Sequence, residues 1–197
     1  YRRTSTQADG EQVAWDIAAR FRTLLVTHTR AKGPRERKEA RARHRIKILD
    51  AKIAELGECI LVATDGSANP NPGASGAGIV IQHKRASSAT ITWRRSISLG
   101  HGTNNSAELL ALIHAVQHVL DHPPPSHLRI VLLVDNTMAL KVAACVHGSR
   151  AYPRLAAQLQ GLTSEMESTH KVLYEWSPGH AGWALNEWAD ALAKRGA

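Results

Sequence analysis

The feature that most constrains this chain is the stretch 59–65, CILVATD, which runs directly into GSANPNPG. A short, almost wholly apolar run bounded by turn residues reads as a strand buried on both faces. Such a strand belongs in a sheet covered by helices on either side, and it delivers one carboxylate, Asp65, where polarity begins. Three further acids occupy comparable places. Glu108 lies near the start of a predicted helix, Asp135 follows a second apolar run at 128–134, and Asp190 sits on the last helix. The expectation is that these four converge on divalent metal ions.

The periodicity orders the rest. Val13, Ile17, Phe21, Leu24 and Leu25 repeat at helical spacing over 11–29, and Gly33-Pro34 breaks that helix. A second helix is predicted over 35–56, with Ile46, Leu49, Ile53 and Leu56 as a narrow apolar stripe beside the basic face RERKEARARHRIK. That face reads first as a solvated surface, next as a nucleic-acid-contacting arm and last as the connection to an upstream domain, and the stripe needs a partner. A boundary is expected at Gly57-Glu58, leaving 1–57 as a basic helical extension or connection and 58–197 as the main domain. Strands follow at 76–83 and 89–99, then a helix over Asn104–Asp121 that His122-Pro123-Pro124-Pro125 stops. After the strand at 128–134 come helices at 137–147 and Pro153–Thr169, a strand at 171–176 and a helix at 185–196. Hairpins first and helical crossovers later imply an α/β fold: a five-stranded mixed sheet, the first three strands antiparallel and the later ones parallel to the first, flanked by helices.

Charge points to the partner. The chain of 197 residues carries a net +8, and residues 1–58 hold 14 Lys+Arg against 8 Asp+Glu. A basic surface favours a polyanion. No apolar run reaches membrane-span length. Cys59 and Cys145 both fall among apolar residues and read as two buried thiols in a reducing, intracellular compartment. The chain opens on Tyr1 with no signal-peptide pattern, as expected of a piece of something longer.

Taken singly, each acid has a simpler explanation. Asp65-Gly66 is a common turn pair, Glu108 can close a capping box on Asn105, Asp135 can cap its helix, and Asp190 can decorate a surface. Jointly they suggest more. Asp65 and Asp135 follow strands that should be neighbours, at the sheet end where α/β proteins place their ligands. Carboxylates brought together repel and need cations to stay ionised. Oxygen-only ligands select Mg²⁺, with Mn²⁺ as a substitute, over Zn²⁺. Two such ions about 3.5–4 Å apart suit phosphoryl transfer.

Four blocks in order, TDGSANPNPGASGAG, TNNSAELLAL, VLLVDNTMAL and WSPGHAGWALNEWADALA, resemble the signature blocks of type 1 ribonuclease H, most closely the domains of non-LTR retrotransposon polyproteins. The resemblance covers about residues 59–197. It implies metal-dependent hydrolysis of the RNA strand of an RNA–DNA hybrid, leaving a 5′ phosphate and a 3′ hydroxyl, with a reverse transcriptase domain upstream. By motif it makes Asp65, Glu108, Asp135 and Asp190 the metal ligands and His180 a mobile proton-transfer group. It gives Gly66, Ser67, Asn71, Asn104 and Asn105 contacts to the RNA, where the 2′-OH can be read by amides. Thr103 falls near a DNA-strand phosphate, and Asn186 and Glu187 support the ligands or start the last helix.

Two departures qualify the likeness. The third block reads Asp135-Asn136-Thr137 where the family often has Asp-Ser-Gln, so a contact from Thr137 to the hybrid is in question. No Lys/Arg-rich extra helix lies between Asp135 and Trp176, and the basic segment 35–52 is the candidate replacement for it. Besides an active nuclease, the alternatives are an inactive hybrid-binding copy and an integrase-like transferase on a similar sheet.

Overall fold

The computed structural model describes residues 35–197, so the helix expected at 11–29 lies outside the described residues. Its elements are α1 (Arg35–Glu55), β1 (Cys59–Asn69), β2 (Gly73–Lys84), β3 (Ala89–Gly102), α2 (Asn104–Asp121), β4 (Arg129–Val134), α3 (Thr137–Ala143), α4 (Pro153–Thr169), β5 (Val172–Trp176) and α5 (Ala184–Gly196). The strands form one sheet in the order β3-β2-β1-β4-β5. β1, β2 and β3 pair antiparallel, whereas β4 pairs parallel with both β1 and β5. This is the mixed sheet that hairpins followed by helical crossovers demand.

The two central strands show why neither reads as an alternating pattern. Ile60 and Val62 of β1, with Ile130, Leu132 and Val134 of β4, face one core, shared with Leu109, Leu112 and Val116 of α2 and Leu159 and Met166 of α4. The intervening Cys59, Leu61, Ala63, Val131 and Leu133 face a second core on the other side of the sheet. Side chains two apart share a face, so a strand covered on both sides must be apolar throughout.

The second core also gives the stripe of α1 its partner. Leu49 and Ile53 are buried there against the sheet together with Leu185 and Ala189 of α5. Helices α1 and α5 thus cover one face, and α2, α3 and α4 the other. α5 lies flush on β2: a Cβ at Gly78 would come within 1.9 Å of the Ala189 carbonyl oxygen. A glycine is the residue that leaves this approach open.

Two elements and one cysteine differ most from the sequence expectation. β1 continues through Asp65 to Asn69, because its pairing with β2 runs on to Asn69↔Ala74. The turn is therefore confined to Pro70-Asn71-Pro72, and Asp65-Gly66 is strand rather than turn. α3 ends at Ala143, four residues short of the predicted His147. Beyond it Cys145 takes a left-handed backbone (φ 54) and is exposed, so the expected pair of buried thiols reduces to Cys59. No described helix is long and apolar enough to cross a membrane.

Leu49→Ala should test how far α1 belongs to this core. Removing a fully buried leucine costs about 2–5 kcal/mol of unfolding free energy, whereas Ile48→Ala, at a side chain 37% exposed, should stay within about 0.5 kcal/mol. Denaturant titration of the two variants reads the difference.

Candidate active site

Parallel pairing of β1 with β4 ends at Thr64↔Val134. The next residue on each strand is an acid, so Asp65 and Asp135 leave adjacent strands at the same level. Glu108 arrives from the first turns of α2, whose backbone sits against β1: a Cβ on Gly66 would lie 2.1 Å from the Glu108 amide nitrogen. The bare backbone at Gly66 is thus required by helix packing, which gives that glycine a structural reason independent of any ligand. One carboxylate oxygen from each of Asp65, Glu108 and Asp135 lies within 4.8 Å of the other two.

The simpler explanations for these acids are taken up by their neighbours. Thr103 is the N-cap of α2 and forms a capping box with Ser106, so Glu108 is not used to close one on Asn105. Asn136, not Asp135, caps α3, its Oδ1 accepting from the Met138 and Ala139 amides. Both carboxylates are left for the cluster.

Neighbouring cations offset the cluster only in part, Lys194 acting on Asp65 and His180 on Asp135. Burial pushes the Asp65 carboxyl up to about 8, helped by the charges of Asp135 and Asp190. Glu108, only 6% exposed, is raised well above the usual carboxylate range by burial and then by Asp135 and Asp65, against bonds from the Asn136 side chain and the Gly66 amide. Its Oε2 is buried without a hydrogen-bond partner. Asp135 is also raised, by burial first, although the buried Asn186 amide bonds to it. Carboxylates held this close without a cation favour protonation. The donor set, all hard oxygen with one lone pair aimed at nothing, fits a divalent ion.

Asp190 stands beside this trio. It forms a second group with His180 and Glu187, again with ligand atoms within 4.8 Å of one another, and its charge reaches both Asp65 and Asp135. Its Oδ2 accepts from Lys194 Nζ at 2.6 Å, one turn along α5. Glu187 accepts the Gly182 amide at 3.1 Å. Ahead of α5 runs the loop 177–182, where exposed His180 has φ 51 and Gly179 leaves no room for a Cβ beside Asp135 Oδ2.

The polar residues singled out in the sequence form the rim. Asn104 Oδ1 accepts the Ala68 amide at 2.7 Å, and the Asn104 amide donates to Asn71 Oδ1 at 3.1 Å. These bonds pin the start of α2 to β1 and to the Asn-Pro turn. Asn105 Oδ1 accepts from Asn136 Nδ2 at 3.2 Å. Thr103 shares a hydroxyl contact with Tyr152, and Ser67 and Thr137 are half-buried nearby. Asn136, Tyr152 and Lys194 were not anticipated as part of this neighbourhood. An Asn just before a predicted helix and a Lys four residues after Asp190 were the available signals. Trp176, whose indole donates to the Asp135 carbonyl at 2.8 Å, had none.

Comparison with known proteins agrees with the fold. The chain is 32% identical over 145 residues to the ribonuclease H of Roseobacter denitrificans, covering 68% of this chain and 91% of that protein. The N-terminal RNase H domain of a Mycobacterium tuberculosis protein superposes with a TM-score of 0.58 at 25% identity, over 71% of this chain and 94% of that one. A foamy viral protease-reverse transcriptase in complex with an RNA/DNA hybrid shares the fold at 19% identity, with a TM-score of 0.55 over 72% of this chain and 20% of that one. The RNase H family model matches residues 57–197. With that match spanning the whole sheet and both acidic groups, the chain belongs to the RNase H family.

Proposed function

We propose that this chain hydrolyses the RNA strand of RNA–DNA hybrids with two Mg²⁺ ions, as part of a retrotransposon reverse-transcriptase polyprotein. The observation that carries the reading is the trio Asp65, Glu108 and Asp135, with its carboxylate oxygens within 4.8 Å and Glu108 Oε2 unpartnered. In this reading those three, with Asp190, hold the ions; Mn²⁺ fits the same oxygen ligands. When bound, the ions supply an activated water in line with phosphorus and charge neutralisation for the departing 3′ oxygen.

The chain's own residues do the rest. The sheet and the packing of α2 on Gly66 fix the carboxylates before substrate arrives, so little reorganisation accompanies the reaction. Asn186 orients Asp135 through its bond to the carboxylate. His180 on its exposed loop can pass a proton toward the leaving oxygen and withdraw with product. The rim of Asn71, Asn104, Asn105, Gly66 and Ser67 faces the RNA strand and Thr103 a DNA-strand phosphate, the amides distinguishing RNA by its 2′-OH. The foamy viral enzyme, bound to an RNA/DNA hybrid, supports the substrate class and the association with a reverse transcriptase.

The outward face of α1 gives this chain a grip of its own. Arg37, Arg41, His44 and Lys47 are exposed on the side away from Leu49 and Ile53. This stripe takes the place of the missing basic helix and contacts the hybrid's phosphates. Truncating α1 would strip the second core, so charge removal is the cleaner probe.

A labelled hybrid incubated with Mg²⁺ should lose its RNA strand only. EDTA, or Asp135→Asn, should abolish cleavage, with at least a ~10³-fold fall in kcat, comparable to losing an electrostatic group at a reacting centre. Cleavage of duplex DNA would point to a transferase, and tight binding without cleavage to an inactive copy.

Metal and pH should also act on stability. A carboxyl whose pKa is higher folded than unfolded takes up its proton on folding, so it destabilises the fold as pH rises through the interval between the two values. For Asp65, raised from 3.8 to about 8, thermal denaturation in EDTA should show stability falling from about pH 4 to pH 8. Mg²⁺ should reverse the loss at pH 8. Asp65→Asn should raise the melting temperature in EDTA at pH 8 by several degrees, at ~2–4 °C per kcal/mol, and blunt the response to Mg²⁺.

Replacing Arg37, Arg41 and Lys47 together by Gln should weaken hybrid affinity. It should also flatten the slope of log affinity against log salt by about 0.7–0.9 per lost phosphate contact, with kcat at saturating hybrid unchanged. An unaltered slope in a salt titration rejects the grip.

A further inference from the structure

The inward side of α1 lies outside the segment that matches the RNase H family, residues 57–197, yet it touches the active-site loop at both ends. Before the loop, Arg45 Nη2 donates to Glu175 Oε2 at 3.1 Å and to the Trp176 carbonyl at 3.5 Å. Lys52 Nζ adds a bond to Glu175 Oε1 at 3.3 Å. The Arg45–Glu175 pair is largely shielded, with side chains 16% and 14% exposed. After the loop, Trp183 Nε1 donates to Asp50 Oδ1 at 3.1 Å. Trp183 is the N-cap of α5 but offers no side-chain bond to its helix. Its indole is free to reach back to α1.

Between the two tryptophans lie six residues. Ser177 is tied at one end, its amide to the Val134 carbonyl and its hydroxyl to Asn186, and Gly182 at the other, to Glu187. His180 within it and Gly182 at its end take left-handed conformations, φ 51 and 80. A segment of this kind takes its shape from where its ends are fixed. Trp176 is held from the other side by its bond to the Asp135 carbonyl, so α1 and the acidic trio grip the same residue.

We infer that α1 positions the catalytic loop, with Asp50 acting through Trp183 and Arg45 through Glu175 and Trp176 to set the place of His180. Asp50 and Arg45 are positioning residues: neither belongs to the acidic groups. The inference rests on the hybrid-cleaving reading above, in which His180 serves the reaction, and adds to it a dependence on a helix that the family match does not include.

Asp50→Ala and Trp183→Phe remove the acceptor and the donor of one bond, and Asp50→Asn keeps an acceptor. In steady-state cleavage of an RNA–DNA hybrid by the full chain, Asp50→Ala and Trp183→Phe should each lower kcat about tenfold, within the range that small misplacement of reacting groups produces. KM should move by less than about twofold, and Asp50→Asn should restore kcat. In a His180→Ala background, Asp50→Ala should cost nothing more, because the group it positions is gone. Amide hydrogen exchange over residues 177–187 should quicken in Asp50→Ala and stay slow in Asp50→Asn, a readout independent of cleavage. Unchanged kcat in Asp50→Ala, equal damage from Asp50→Asn, or losses that multiply with His180→Ala would each overturn the inference. A wild-type chain that leaves hybrids intact refutes the cleavage reading instead, and the exchange rates then test the positioning by themselves.

Discussion

Like charges confined where water is scarce push apart, and the fold around Asp65, Glu108 and Asp135 exists in opposition to that push. The trio is held by the stiffest parts of the molecule. Two strands paired in parallel carry two of the acids, and the third comes from a helix pressed so closely on β1 that residue 66 has no room for a side chain. Hydrogen bonds soften the arrangement without neutralising it: Asn136 and the Gly66 amide serve Glu108, and Asn186 serves Asp135. A cation relieves the remaining stress. Packing and catalysis are therefore coupled, because the rigidity that prevents the acids from separating is also what leaves the site ready to take up metal.

Asp190 shows how that coupling is graded. It sits on α5, a helix laid on β2 over glycines, and its carboxylate accepts from Lys194 at the edge of the buried trio. Its group includes exposed His180 and the half-buried Glu187. The site has a rigid, dry side built from the sheet and a wetter side built from α5 and the loop before it. Such a division suits a reaction in which one side must position and the other must exchange protons and release product.

Much of this was legible in the sequence because the constraints were local. Two continuous apolar runs, each ending in an acid, specify neighbouring buried strands, and their register follows from the shared level of those acids. What was not legible depended on contacts between distant segments. The continuation of β1 beyond Asp65 is set by its pairing with β2, which overrides the turn preference of Asp65-Gly66. Cys145 looked apolar in its surroundings but falls just past the end of α3, where the chain reverses and the side chain is left outside. The capping box on α2 uses Thr103 and Ser106 rather than Asn105 and Glu108, a shift of two residues that periodicity alone does not resolve.

The amphipathic stripe of α1 was visible while its partner was not, and the structure explains why. Leu49 and Ile53 are complemented by residues of β1, β4 and α5 that are apolar for their own reasons, since central strands are apolar whether or not a particular helix covers them. Polar contacts add to the pairing: Arg45 and Lys52 meet Glu175, and Asp50 meets Trp183. They fall at the two ends of the loop that carries His180. On the function proposed above, one helix displays a basic stripe to a polyanion on its outer side while its inner side bears on the loop.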